Sequence, residues 1–396
     1  EDIMEEELKE KLFNKKKVGW ENLDTRRKEE IFNFCKDYMD FLNKAKTERE
    51  FVKEAKKIAD LNGFKDLSEY DTLNAGDRVY FINRNKSMYL AIIGQEKMET
   101  GLHIIGSHVD SPRLDLKPNP LYEKEDIAYF KTHYYGGIRK YQWGATPLAM
   151  HGVVGKKNGE MVEISIGEKE GEPQFCITDL LPHLASEQNG RKLGEGLKGE
   201  ELNIIVGSIP FMGEDDEKIK TPVKLMAMKL LNEMYGITEK DFTRAEIEMV
   251  PAYKAVDVGL DRSLVGAYGQ DDRVCAYTAL MAETETKAPA HTTLTILADK
   301  EEIGSAGNTG LNSDFVLHII EDLCQTAGAD LKTVLRASLC LSSDVNAAYD
   351  PTFASVYEER NSSAINKGCV LTKYTGARGK SGRQRRQRRD HGQGDP

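Results

Sequence analysis

Three short apolar runs, each of a length for one buried strand and each followed by metal-binding residue types, constrain this chain most. Residues 102–107 run into His108 and Asp110, 292–298 into Glu301 and Glu302, and 337–341 into Asp344. Strands covered on both faces read as continuous apolar runs, and open α/β sheets bind ligands beyond the carboxyl ends of their strands. The imidazole and carboxylates at these three ends are therefore expected to meet in one crevice. Carboxylates gathered there repel one another unless a cation joins them.

The segments between these runs complete the expected fold. From 24 to 45, Ile31, Phe34, Cys35, Tyr38, Met39 and Leu42 recur at helical spacing, and Thr47-x-x-Glu50 is a capping box opening a second helix. The runs 78–83 and 88–93, joined by Arg84-Asn85-Lys86-Ser87, read as a hairpin. Residues 113–252 are Gly-rich, with short alternating segments at 128–135 and 161–166 and a helical stretch at 224–235. After Tyr253, helical 273–283 and 313–326 alternate with the strand-like runs. The expected class is α/β: a central mixed sheet flanked by helices, interrupted by an inserted β-rich domain. At 396 residues the chain exceeds one core of about 100–200 residues. The expected division is a discontinuous domain of 1–112 and 253–382, an insert of 113–252, and a tail of 383–396.

Composition narrows the function classes. Hydrophobic residues make 39% and charged residues 30%, and no apolar run approaches the roughly 18 residues of a spanning helix, so no membrane association is expected. The first twenty residues form a charged amphipathic stretch without a signal-peptide core. The six cysteines, Cys35, Cys176, Cys275, Cys324, Cys340 and Cys369, lie far apart without a C-x-x-C pair, as reduced thiols do. Both features point to the cytoplasm. The net charge is −10; without the last fourteen residues, where five Arg stand against two Asp, it is −13. So acidic a body offers no nucleic-acid surface.

Taken singly, the candidate residues have plain structural readings. Asp271-Asp272, after Gly269-Gln270, suits a helix N-cap, and Glu301-Glu302 suits a solvated pair. His108-Val109-Asp110 is more pointed, because a ligating imidazole usually gives its second N–H to a carboxylate that fixes its tautomer.

Four segments, GSHVDSPRLDLKPNP (106–120), YGQDDRVCAYTAL (268–280), DKEEIGSAG (299–307) and SSDVNAAYDP (342–351), resemble the aspartyl aminopeptidase family of dinuclear zinc metallopeptidases. The resemblance extends over nearly all of 1–382. It implies His108 and Asp344 as ligands of a first metal, Asp110 as the acid orienting His108, Asp271 as a carboxylate bridging two metals, and a cis peptide between Asp271 and Asp272. It further implies Glu302 as a ligand of the second metal and Glu301 as the general base. Two divalent ions per subunit follow, zinc first, with cobalt and manganese also suited to His and carboxylate donors. The implied reaction removes the N-terminal residue of a peptide, often an acidic one. His183 resembles a histidine that the family's insert lends to a neighbouring subunit, and Lys373 a lysine lining the substrate pocket. Homo-oligomers, commonly dodecamers, are the implied assembly, with the insert as the oligomerisation domain.

After Gly382 the resemblance stops, before the segment that carries the family's last histidine ligand. The Arg-rich end RQRRQRRDHGQGDP reads as a frameshifted terminus; its His391 lacks the context of a ligand, and its competing role as an RNA-binding arm finds no support in the acidic body. The alternative to an active enzyme is a catalytically impaired subunit acting only in assembly or binding, with apolar surface and a sheet edge left open.

Overall fold

A computed structural model describes residues 2–14, 17–213 and 219–372. The chain divides into two compact units, Lys36–Asp344 and a smaller one from residues up to Cys35 and from Val345 on. The helices are α1 Asp2–Leu12, α2 Thr25–Lys44, α3 Glu48–Leu61, α4 Ser186–Asn189, α5 Pro222–Tyr235, α6 Gln270–Glu285, α7 Phe315–Ala327 and α8 Leu331–Ala337. The strands are β1 Lys65–Asp66, β2 Arg78–Asn83, β3 Ser87–Ile92, β4 His103–His108, β5 Arg113–Lys124, β6 Ile127–Tyr135, β7 Leu148–Gly155, β8 Met161–Ile166, β9 Cys176–Ile177, β10 Asn203–Gly207, β11 Ala245–Pro251, β12 Val256–Val258, β13 Leu264–Gly266, β14 Thr293–Ala298 and β15 Leu339–Ser342.

The larger unit holds a six-stranded sheet in the order β1-β2-β3-β14-β4-β15. It is mixed: β2–β3 is a hairpin, β3 runs against β14, and β14, β4 and β15 are parallel. Three residues, 84–86, join the paired Asn83 and Ser87; Arg84 and Asn85, at φ 53° and 57°, are the left-handed central pair of a turn closed by Lys86 N–H to Asn83 O at 3.0 Å. Strand β3 is buried on both faces. Met88, Leu90 and Ile92 join a core with Phe41, Phe51, Tyr277 and Leu280 from α2, α3 and α6. Tyr89, Ala91 and Ile93 face a second core with Ile319, Leu323 and Val334 from α7 and α8. Three layers follow, as continuous apolar strands demand. The capping box forms: Thr47 accepts from Glu50 N, and Glu50 returns to Thr47 N.

The strands within Arg113–Pro251 build a separate seven-stranded antiparallel sheet, order β8-β7-β11-β5-β6-β10-β9. It packs its own core against Val223, Ala227 and Leu231 of α5. Residues 337–341, expected as one strand, are divided: Ala337 ends α8 and β15 starts at Leu339. In the smaller unit the Gly19 N–H donates to Asn366 O (2.6 Å), and Trp20 Nε1 to Asn366 Oδ1 (3.2 Å). All six cysteines are free thiols. Among the described residues no helix is long and apolar enough to cross a membrane.

Candidate metal centre

Parallel neighbours bring three carboxyl ends side by side, with Ala298 in register with His108 and Ser342 with Gly106. His108 is the last residue of β4, Glu301 and Glu302 follow β14 by three and four residues, and Asp344 follows β15 by two. The start of α6 supplies Asp271 and Asp272, joined by a cis peptide bond. One donor atom each of His108, Asp271 and Asp344 lies within 4.8 Å of the other two. Such a grouping suits one cation.

The imidazole is fixed from behind. Its Nδ1 lies 3.0 Å from the Asp110 carbonyl oxygen and 3.2 Å from Asp110 Oδ1, so Nδ1 carries the proton and Nε2 faces the carboxylates. Nε2 is 3.2 Å from Asp271 Oδ1 and 3.7 Å from Glu301 Oε2. The His108 side chain is 4% exposed, against 54% for Asp271 and 44% for Glu301; the nitrogen donor lies deep and the carboxylates line the opening.

Asp110 is wholly buried. Its carboxylate accepts from Tyr135 OH (2.7 Å), Glu301 N (3.2 Å) and Glu302 N (3.2 Å). The loop bearing both glutamates is thus hung on the group that orients His108. Its ends are closed by Thr309 Oγ1, which donates to buried Asp299 at 2.5 Å.

The electrostatics express a deficit of positive charge. Burial disfavours a charged His108, but hydrogen bonds to Asp110 and Asp271 outweigh it and push its pKa up to about 11. Burial, reinforced by the Asp271, Asp110 and Glu301 carboxylates, raises Glu302 to about 7. Asp272, buried and accepting from His108 N at 3.4 Å, is raised to about 7, chiefly by burial. A proton on Nε2 thus stands where a divalent ion would, and one imidazole with carboxylate oxygens is a donor set that zinc accepts. The residues fit the metal.

Not every expected residue joins the group. Glu302 contributes no donor atom to the converging three. His183 lies exposed among Leu180, Leu181 and Leu184, which are 50%, 64% and 69% exposed. Lys373, His391 and the tail lie outside the described residues. Conversely, Tyr135 belongs to the site although it stands in an ordinary alternating strand, where nothing marks its hydroxyl. Beside the loop, a cavity of about 400 Å³ opens between Lys300, Ile303, Arg113, His133, Tyr135 and Glu248.

Comparison with known proteins gives a consistent set. Residues 41–386 match the family model described as aminopeptidase I zinc metalloprotease (M18). The probable M18 family aminopeptidase 1 of Clostridium acetobutylicum is 47% identical over 380 residues, 94% of this chain and 81% of that protein. Its counterpart from Thermotoga maritima is 49% identical over 362 residues, covering 90% and 78%. A crystal structure of the M18 aminopeptidase from Thermotoga maritima superposes with a TM-score of 0.87 at 46% identity, covering 93% of this chain and 80% of that one.

Proposed function

The chain belongs to the M18 family of aminopeptidase I zinc metalloproteases, and from that membership we propose that it uses two divalent ions per subunit to remove an acidic N-terminal residue from peptides. The observation that carries the reading is the meeting of His108, Asp271 and Asp344 donors beside Glu301. His108, Asp271 and Asp344 would hold the first ion, and Asp271 and Glu302 would serve the second.

When bound, the ions polarise the scissile carbonyl and make a water acidic enough to ionise near neutrality. The chain supplies the rest. Asp110 keeps the Nδ1 proton of His108 in place, so Nε2 offers its lone pair forward. Glu301, 3.7 Å from Nε2 and so beyond hydrogen-bond range, keeps an oxygen free to take the water's proton and deliver it to the leaving amine. The acidic preference rests on the resemblance and gives Lys373 its role. Exposed Leu180, Leu181 and Leu184 around His183 support a homo-oligomer in which His183 reaches a neighbour's centre. The acidic charge and free thiols support a cytoplasmic location.

Peptides beginning with Asp, Glu or Leu, each free or N-acetylated, test the reading together with metal analysis. The expected result is turnover of the free acidic peptides, abolished by a chelator and restored by zinc, with two ions per chain. Equal cleavage of acetylated peptides would overturn the exopeptidase assignment, and preference for Leu the specificity. One ion or none without turnover would favour a subunit acting only in assembly.

A further inference from the structure

We propose that Tyr135, a residue of the seven-stranded sheet, is a positioning residue for the metal centre, acting through Asp110; this rests on His108 being a zinc ligand. Among the described residues, Tyr135 is the only side chain besides His108 that hydrogen-bonds the Asp110 carboxylate. Its hydroxyl donates at 2.7 Å, a short, charge-assisted bond that fixes one carboxylate oxygen. The other oxygen faces His108 Nδ1. Rotation of the carboxylate would break both bonds, so the phenol, together with the amides of Glu301 and Glu302, sets the angle at which Asp110 meets the imidazole.

The placement is built in. Strands β5 and β6 pair with Arg113 opposite Tyr135, and Arg113 follows Asp110 by three residues, so the hairpin returns the phenol to the acid from which it departed. The Arg113 guanidinium lies 3.8 Å above the centre of the Tyr135 ring, a cation–π contact strengthened by burial. Arg113 is itself held by Asp115 (2.8 Å), Glu248 (3.3 Å) and Glu48 (3.4 Å). Three carboxylates therefore fix the guanidinium against which the ring lies, and the ring's hydroxyl steadies the acid. Burial and the neighbouring Asp110 charge keep the phenol protonated far above its ordinary range, so it remains a donor. The seven-stranded sheet thereby reaches the metal through its own chain, independently of any assembly.

Tyr135→Phe removes the hydroxyl and keeps the ring on Arg113. Wild type, Tyr135→Phe, Asp110→Asn, His108→Ala and the control Tyr134→Phe are compared as the full chain. The readouts are zinc affinity by competition with a chromophoric chelator, the thermal midpoint of zinc-free protein, and peptide turnover against zinc concentration. Loss of a partner behind a ligand typically costs 10–100-fold in affinity. One bond further out, Tyr135→Phe should weaken zinc by about three- to tenfold, less than Asp110→Asn, with turnover restored by excess zinc and Tyr134→Phe unchanged. A Tyr135→Phe chain with a lower thermal midpoint but wild-type zinc affinity would sink the inference, leaving the tyrosine a packing residue. Wild type without zinc affinity, or His108→Ala with undiminished affinity, would sink the metal reading beneath it, a separable result.

Discussion

Residue by residue, the centre is a division of labour among groups of similar chemistry, and position decides each role. Glu301 and Glu302 are adjacent in the chain and both give their amide N–H to Asp110, yet burial and neighbouring carboxylates raise Glu302 to about 7, while the side chain of Glu301 is 44% exposed near Nε2 of His108. Glu301→Gln should therefore leave zinc content unchanged and lower kcat by about 10²–10⁴-fold, measured by metal analysis and peptide turnover. Undiminished turnover would refute the base assignment. His108 and Asp110 were legible because their two-residue spacing at a strand end carries the logic of an oriented ligand. Tyr135 was not, because its partner is set by the return of a hairpin, a register that local pattern does not encode.

At the scale of elements, a buried ion-pair cluster ties β7 to the start of α3. His151 presents Nδ1 to Glu50 Oε1 at 2.7 Å and Nε2 to Glu168 Oε1 at 2.9 Å, so both nitrogens donate when the ring is charged. Lys46 (2.8 Å) and Lys254 (2.6 Å) also meet Glu168. Burial works against the imidazolium, but Glu168 and Glu50 outweigh it and push its pKa up to about 9. Since the folded value lies above the ordinary 6.5, the ring's stabilisation is complete below about pH 6.5 and is lost as pH rises through about 9. The loss is at most on the order of 3 kcal/mol at 1.36 kcal/mol per unit. Urea unfolding of wild type and His151→Gln should show a larger stability difference at pH 6 than at pH 9.5; an equal difference would exclude the linkage. The capping box and the β2–β3 hairpin were readable because their signals are local. Strand β5 was hidden by Pro118 and Pro120, which a register slip between Leu116 and Leu121 accommodates. The division of 337–341 between α8 and β15 was equally hidden, since apolar character does not distinguish a helix end from a strand start.

For the whole molecule, two sheets with separate cores meet different needs, one gathering donors and the other steadying them. The exposed leucines beside His183 are the best candidate for contact between copies. Leu181→Asp with Leu184→Asp should lower the mass measured by light scattering, and an unchanged mass would move the interface elsewhere. Strand order has a further effect on the donors. Strand β4 is flanked by β14 and β15, so His108 stands on a stiff support. Asp344 hangs from β15, which among the described residues pairs with β4 alone, with all four strand residues exposed and Leu339 and Leu341 at 66% and 65%. Fraying reaches such a margin before it reaches the interior. A cation gripped from both sides would work as a rivet through that margin, and on heating the chain should release such an ion before its packed layers come apart.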